Sequence, residues 1–184
     1  MKISTKIGDK GESRLSNGRI LRKSSPVFEV LGDFDEFNSS LGLCKASGLY
    51  DDSIQVLEII QKDLYRIMAI IANDMKIPKG IKELDRKDVL FLEQCIEKFE
   101  EEIGDLREFV IPGKSVLSAR LHFSRAIGRR AERRLIGYHD EMTVSLGGVP
   151  EEILQYMNRV SDLLFLMAHR DDLDKTNSRG KMGV

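Results

Sequence analysis

The chain has 184 residues, 41% of them hydrophobic and 32% charged, no Trp, and a formal net charge of −1. That length suits one domain around a single core, and the composition suits a helical protein better than a β-sandwich. The near balance of charge argues against general nucleic-acid binding, which shows a basic excess over the whole domain.

Residues 1–26 read as an irregular leader holding Gly8, Gly11 and Gly18 together with Thr5, Lys6, Asp9, Lys10, Ser13, Arg14 and Lys23. A loop of glycine, hydroxyl and lysine residues can present N–H groups and cations to a phosphate chain, although a polar terminus with no ligand is the commoner case. A first helix is predicted from about Val27 to Gly48, where Val30, Phe34, Phe37, Leu41 and Cys44 recur at spacings of three and four. Asp33, Asp35 and Glu36 near its start suit the positive end of a helix dipole, and could also meet arginines from another helix. A second helix is predicted from about Asp52 to Met75, with Ile54, Leu57, Ile60, Leu64, Ile67, Met68 and Ile71 inward, and a third from about Asp85 to Ile103.

The fourth, Ser115 to Tyr138, is the most informative. Ser115 can cap it, and Pro112-Gly113 breaks the chain before it. Six arginines fall between Arg120 and Arg134 with one acid, Glu132, among them. At about 100° per residue, Ser118, His122, Arg125, Arg129 and Glu132 share one arc of roughly 80°. Phe123, Ile127, Ala131 and Leu135 step along another side as an apolar seam. The arginine face has three readings: a solvated surface, pairing with carboxylates of neighbouring helices, or an anion site gripped by the guanidinium fork. Residues 138 to 149 are predicted as a loop, and a fifth helix from Pro150 to about Asp171, apolar nearly all round after Tyr156 and therefore central. On it Asn158 and Ser161 are predicted to share a buried face, where polar groups need partners. Leu173 begins a polar tail. Five helices without a convincing strand pattern predict a single all-α domain: leader 1–26, five-helix bundle 27–172, tail 173–184.

Several chemistries are disfavoured. Cys44 and Cys95 lie far apart with no metal-spaced neighbours, so no zinc site is implied. No histidine follows a Glu at the spacing of a di-iron bundle. Gly113-Lys114-Ser115 imitates the end of a P-loop, but Glu108 stands where the first glycine is needed. The N-terminus has no apolar signal region, and no run approaches the roughly 18 apolar residues of a membrane span. A cytoplasmic location with no membrane partner is therefore expected. No serine or cysteine nucleophile has a plausible histidine base, so an enzyme of this sequence would work by positioning and electrostatics.

Taken in order, TKIGDKGESRL, GDFDEFNSSLG, FVIPG, LHFSRAIGRRAERR and NRVSDLLF resemble the PduO-type ATP:cob(I)alamin adenosyltransferases over nearly the whole chain. The resemblance implies a homotrimer with active sites between subunits. It implies transfer of the 5′-deoxyadenosyl group from Mg²⁺-bound ATP to cob(I)alamin, with Mg²⁺ on the phosphates and no metal ligand from the protein. It places Thr5, Lys6, Ile7, Gly8, Ser13, Arg14 and Lys23 of the leader, Arg129, Arg130, Ala131, Glu132 and Arg133 of helix four and Asn158 of helix five at the nucleotide. Arg129 would serve catalysis, Asp35 would pair with Arg125 across the interface, and Phe109 would keep the lower axial ligand off cobalt. A reductase or an adenosylcobalamin-dependent enzyme would be a partner, and nucleic acid would not. Departures from the family pattern are Lys114 for a glycine, Ser13 for a threonine and Leu163 for a tyrosine. A nucleotide- or corrinoid-binding bundle without turnover is the alternative, and an RNA-contacting bundle the weakest.

Overall fold

A computed structural model describes residues 7–104, 109–146 and 148–180, with backbone only at 7, 141–146 and 175–180. Its frame is five helices: α1 Pro26–Lys45, α2 Asp51–Ile71, α3 Arg86–Ile103, α4 Val116–Leu146 and α5 Glu151–Gly180. Helix α1 packs on α2 and α4, α5 packs on α3 and α4, and α2 touches α5. The core is continuous, from Val30, Phe34 and Phe37 of α1 through Leu64 and Ile67 of α2 and Leu92 of α3 to Leu121 and Leu135 of α4 and Tyr156 and Leu163 of α5.

Local chemistry sets the boundaries. Pro26 occupies the first turn of α1, where its missing N–H costs nothing. Asp85 and Asp88 form a reciprocal capping box at the start of α3. Ser115 caps α4 as expected, its Oγ accepting from the Ser118 N–H at 2.9 Å. Four elements depart from the sequence reading. The leader is not irregular: a 3₁₀ turn, Ile7–Lys10, precedes strands β1, Glu12–Arg14, and β2, Ile20–Arg22. The strands pair antiparallel with Ser13 opposite Leu21. Helix α4 continues to Leu146 where a loop was expected, and α5 runs on to Gly180 through the polar tail. Phe123 leaves the apolar seam and is 63% exposed. Because α1 and α5 flank α4 on two sides, the stripe through Leu121, Ser124, Gly128, Ala131 and Leu135 is buried instead.

A charged knot ties α2, α3 and α5. The Arg66 guanidinium donates to Asp63 at 2.6 Å, to Asp88 at 2.9 Å and to the carbonyls of Lys82 and Glu83. The Tyr156 hydroxyl, fully buried, donates to Asp63 at 2.7 Å. Nearly every polar atom of the knot has a partner, the condition under which buried charge is tolerable.

Helices α1 and α4 approach closely at Gly128. A methyl group at Gly128 would lie 2.8 Å from the Phe37 ring. Gly128→Ala should therefore destabilise the fold by about 1–3 kcal/mol through overpacking, despite the better helix propensity of alanine, measured as a lowered denaturant midpoint.

Candidate functional site

The six arginines of α4 do different work. Arg130 Nε donates to Asp33 at 3.1 Å, and its terminal nitrogen reaches Glu36. Arg134 Nε donates to the other Asp33 oxygen at 3.3 Å, with Glu29 at 3.8 Å. Arg120 donates to the Ser47 hydroxyl just past α1. Those three tie α4 to α1 and its exit. Arg125 lies over the Phe165 ring at 5.7 Å. Arg129 and Arg133 are exposed, and no ion pair among the described residues holds either. Between them Glu132 is half-buried and Ala131 fully buried. Burial raises the Glu132 carboxyl above its ordinary range; Arg129 and Arg133 pull it back, and Asp162 of α5 pushes with burial.

The leader supplies a second wall. A methyl group at Gly8 would lie 2.9 Å from Lys23 Nζ, so glycine is what lets that ammonium rest against the 3₁₀ turn. The Lys23 N–H donates to the Gly11 carbonyl at 2.9 Å. Ser13 is half-buried on β1, and Arg14 is exposed. Thr5 and Lys6 lie outside the described residues, and only the backbone of Ile7 is described. The leader runs directly into a cleft of about 400 Å³ lined by Ser24, Pro26 and Glu29 on one side and Arg133, Arg134 and Gly137 on the other. Arg129 is one helical turn from Arg133 on the same side of α4.

Helix α5 contributes Asn158 and Asp162, both exposed. Ser161 is buried, so Asn158 and Ser161 do not share an interior face. The expected arc of Ser118, His122, Arg125, Arg129 and Glu132 is likewise divided: its first two members are buried in the bundle and only Arg129 is open. Sequence reasoning missed Phe165 and His169. The Phe165 ring meets His122 edge-on at 5.9 Å and stacks with His169 at 6.3 Å, beneath Arg125. The i, i+4 spacing of Phe165 and His169 was the available signal. Asp35 is exposed on α1 and is not joined to Arg125 within the chain. Phe109 is fully exposed in the connection before α4, with Ile111 beside it also exposed.

No cluster of His, Cys, Asp and Glu among the described residues has the geometry of a metal site, and no helix described is long and apolar enough to cross a membrane. The site's chemistry is cationic: an ammonium over a glycine turn and two unpaired guanidinium groups suit a polyanion with several oxygens.

Burial lowers the His122 pKa, helped by Arg125 and His169 and opposed by Asp172; burial also lowers that of His169, helped by Lys114 and opposed by Asp172. Both imidazoles are thus held neutral in the fold while the unfolded chain protonates near pH 6.5. The unfolded state binds more protons below that pH, so stability should fall as pH drops through it. His122→Leu is expected to flatten the pH dependence of the denaturant midpoint between pH 7.5 and 5.5 (on the order of two units spanning the unperturbed histidine value).

The sequence matches the cobalamin adenosyltransferase family over residues 3–170. It is 37% identical to a corrinoid adenosyltransferase of Citrobacter freundii, over 93% of this chain and 95% of that one. It is 33% identical to the corrinoid adenosyltransferase PduO of Salmonella typhimurium over 95% of this chain, which spans only 51% of that longer protein. In structure it resembles a variant of a PduO-type ATP:corrinoid adenosyltransferase from Lactobacillus reuteri complexed with cobalamin and ATP. That likeness has a TM-score of 0.81 at 26% identity and covers 95% of this chain and 96% of that one.

Proposed function

The chain belongs to the cobalamin adenosyltransferase family, and from that premise we propose that it transfers the 5′-deoxyadenosyl group of ATP to the cobalt of cob(I)alamin, releasing triphosphate. The observation that carries the reading is the division of the α4 arginines. Arg130 and Arg134 are bound to α1 carboxylates, while Arg129 and Arg133 stay open on α4, and Arg133 shares a cleft with Ser24 at the end of the leader that holds Lys23 over Gly8.

In this reading the electron pair on Co(I) attacks C5′ of ATP, the C5′–O bond breaks, and its electrons leave on triphosphate. The protein supplies no nucleophile. Its part is to hold the leaving group, whose charge grows in the transition state. Lys23, Arg129 and Arg133 neutralise it, Mg²⁺ arrives on the phosphates, and Gly8, Ser13 and Arg14 close around the chain with Thr5, Lys6 and Ile7. Glu132 and Asn158 contact the nucleoside end. Arg130 and Ala131 hold the wall from behind, since one is turned to α1 and the other buried.

The working unit is a homotrimer with sites between subunits. Arg125 Nε is buried without a partner among the described residues, and Asp35 faces outward on α1; each completes the other across an interface. Phe109, Ile111, Val116 and Phe123 are exposed apolar side chains that a neighbouring subunit or a corrinoid would cover. Phe109 then excludes the lower axial ligand from cobalt, which makes Co(II) easier to reduce.

Anaerobic incubation with cob(I)alamin and Mg-ATP should produce the adenosylcobalamin spectrum. Tight nucleotide binding by the folded protein with no product would overturn the reading in favour of a binding module. Arg129→Ala should lower kcat by about a hundredfold or more with the oligomer intact in sedimentation; near-parental turnover would contradict its role.

A further inference from the structure

We infer that Asp74, just past the end of α2, is a positioning residue for the nucleotide, acting through the tip of the leader hairpin. This rests on the leader's holding the polyphosphate, as proposed above.

The hairpin cannot hold itself. Its strands are three residues each, and an isolated two-stranded hairpin is marginal in water. Leu15 is the leader's one buried apolar side chain among the described residues. Leu21 packs partly buried against the core, and the polar attachments converge on one spot. Ser16 Oγ donates to the Ala72 carbonyl at 2.7 Å. Asn17 Nδ2 donates to one Asp74 oxygen at 2.6 Å and Arg19 Nη1 to the other at 2.5 Å. The Arg19 N–H donates to Asn17 Oδ1 at 3.0 Å, which locks the tip that presents both donors.

The backbone at Asp74 turns out of α2 at this contact, with the Met75 N–H donating to the Ile70 carbonyl at 3.0 Å. Asp74 has φ 55° and Met75 φ 61°, the only two non-glycine residues of positive φ among those described. A left-handed pair outside glycine is uncommon and stands where surrounding contacts enforce it. The Asp74 side chain is only 14% exposed, against 51% for Arg19. A carboxylate so enclosed needs its donors, unlike the partners of an open surface ion pair.

The tip is coupled to the phosphate end by register. Arg14 pairs with Ile20, Ser13 with Leu21 and Glu12 with Arg22, and the next residue, Lys23, bonds to Gly11. Fixing Leu15 to Arg19 therefore fixes Ser13 two positions away and Lys23 four positions away, and through Lys23 the Gly8 turn it rests against. Losing the anchor leaves α4 intact but lets the leader wall drift.

Asp74→Gly removes the carboxylate without backbone strain, since glycine accepts positive φ; Arg19→Ala removes the partner and leaves Asp74 in place. Each should speed tryptic cleavage within residues 14–23 at Arg14, Arg22 and Lys23, the sites that both variants keep. The melting temperature of the bundle should stay close to that of the parent. Each should raise KM for ATP about tenfold, the weight of one charge-assisted contact, with kcat at saturating ATP and KM for the corrinoid within about twofold. The double variant should be no worse than Asp74→Gly alone, and Asp74→Asn should recover part of the affinity. Unchanged tryptic sensitivity in both single variants would overturn the anchor. A released leader with an unchanged KM for ATP would instead overturn the leader's assignment to the nucleotide.

Discussion

One carboxylate joins two arginines of α4 to α1. Asp33, its side chain only 13% exposed, receives Arg130 on one oxygen and Arg134 on the other. The two arginines are four apart and lie over one another on the helix, so one acid fastens both to α1 while the buried stripe through Leu121, Ala131 and Leu135 sets which side faces inward. Gly128 then lets Phe37 press against the α4 backbone, which fixes the distance. With rotation and distance set, Arg129 and Arg133 emerge on a different side, at about 100° and 60° from Arg130. Among the described residues no ion pair holds either, although both draw on the Glu132 carboxyl between them. A cationic surface kept open in this way is pre-organised for anion binding, because no ion pair must break before a phosphate arrives.

The other wall is built on different terms. Where α4 is held by packing and paired charge, the leader is a short hairpin and a 3₁₀ turn pinned at its tip and at Leu15. Its useful groups are backbone N–H, a serine hydroxyl and a lysine on a flexible stem. Such a segment can close on a nucleotide and open for product, while the rigid guanidinium forks keep the phosphate register. The Arg66 knot stands apart from this site and joins α2, α3 and α5, so the frame does not depend on the ligand for its coherence.

Much of the frame was legible in the sequence. The three- and four-residue spacing of Val30, Phe34, Phe37, Leu41 and Cys44 placed α1, and all five are buried. Ser115 caps α4 where its hydroxyl was expected to. What was missed has physical causes. Strands of three residues are too short to show alternation, so the hairpin passed for irregular chain. Polar residues after Tyr138 and Leu173 say little about helix ends, because a helix can continue into solvent without an apolar stripe. Periodicity finds an apolar face but not how many neighbours share it, so Phe123 was assigned inward and Ser118 and His122 to a cationic face. The acids of α1 were read first as complements to the helix dipole. Which arginine each would take depended on how α1 and α4 cross, and that is a property of packing. The contacts of Asn17 and Arg19 with Asp74 join residues more than fifty positions apart, beyond the reach of any local pattern.

Calorimetric binding of inorganic triphosphate tests, without the corrinoid, the adenosine or turnover, the proposed grip of one polyphosphate by guanidinium groups of α4 and the leader lysine. Lys23→Ala and Arg129→Ala should each weaken that binding by about tenfold or more. Parental affinity for triphosphate in either folded variant would contradict the claim.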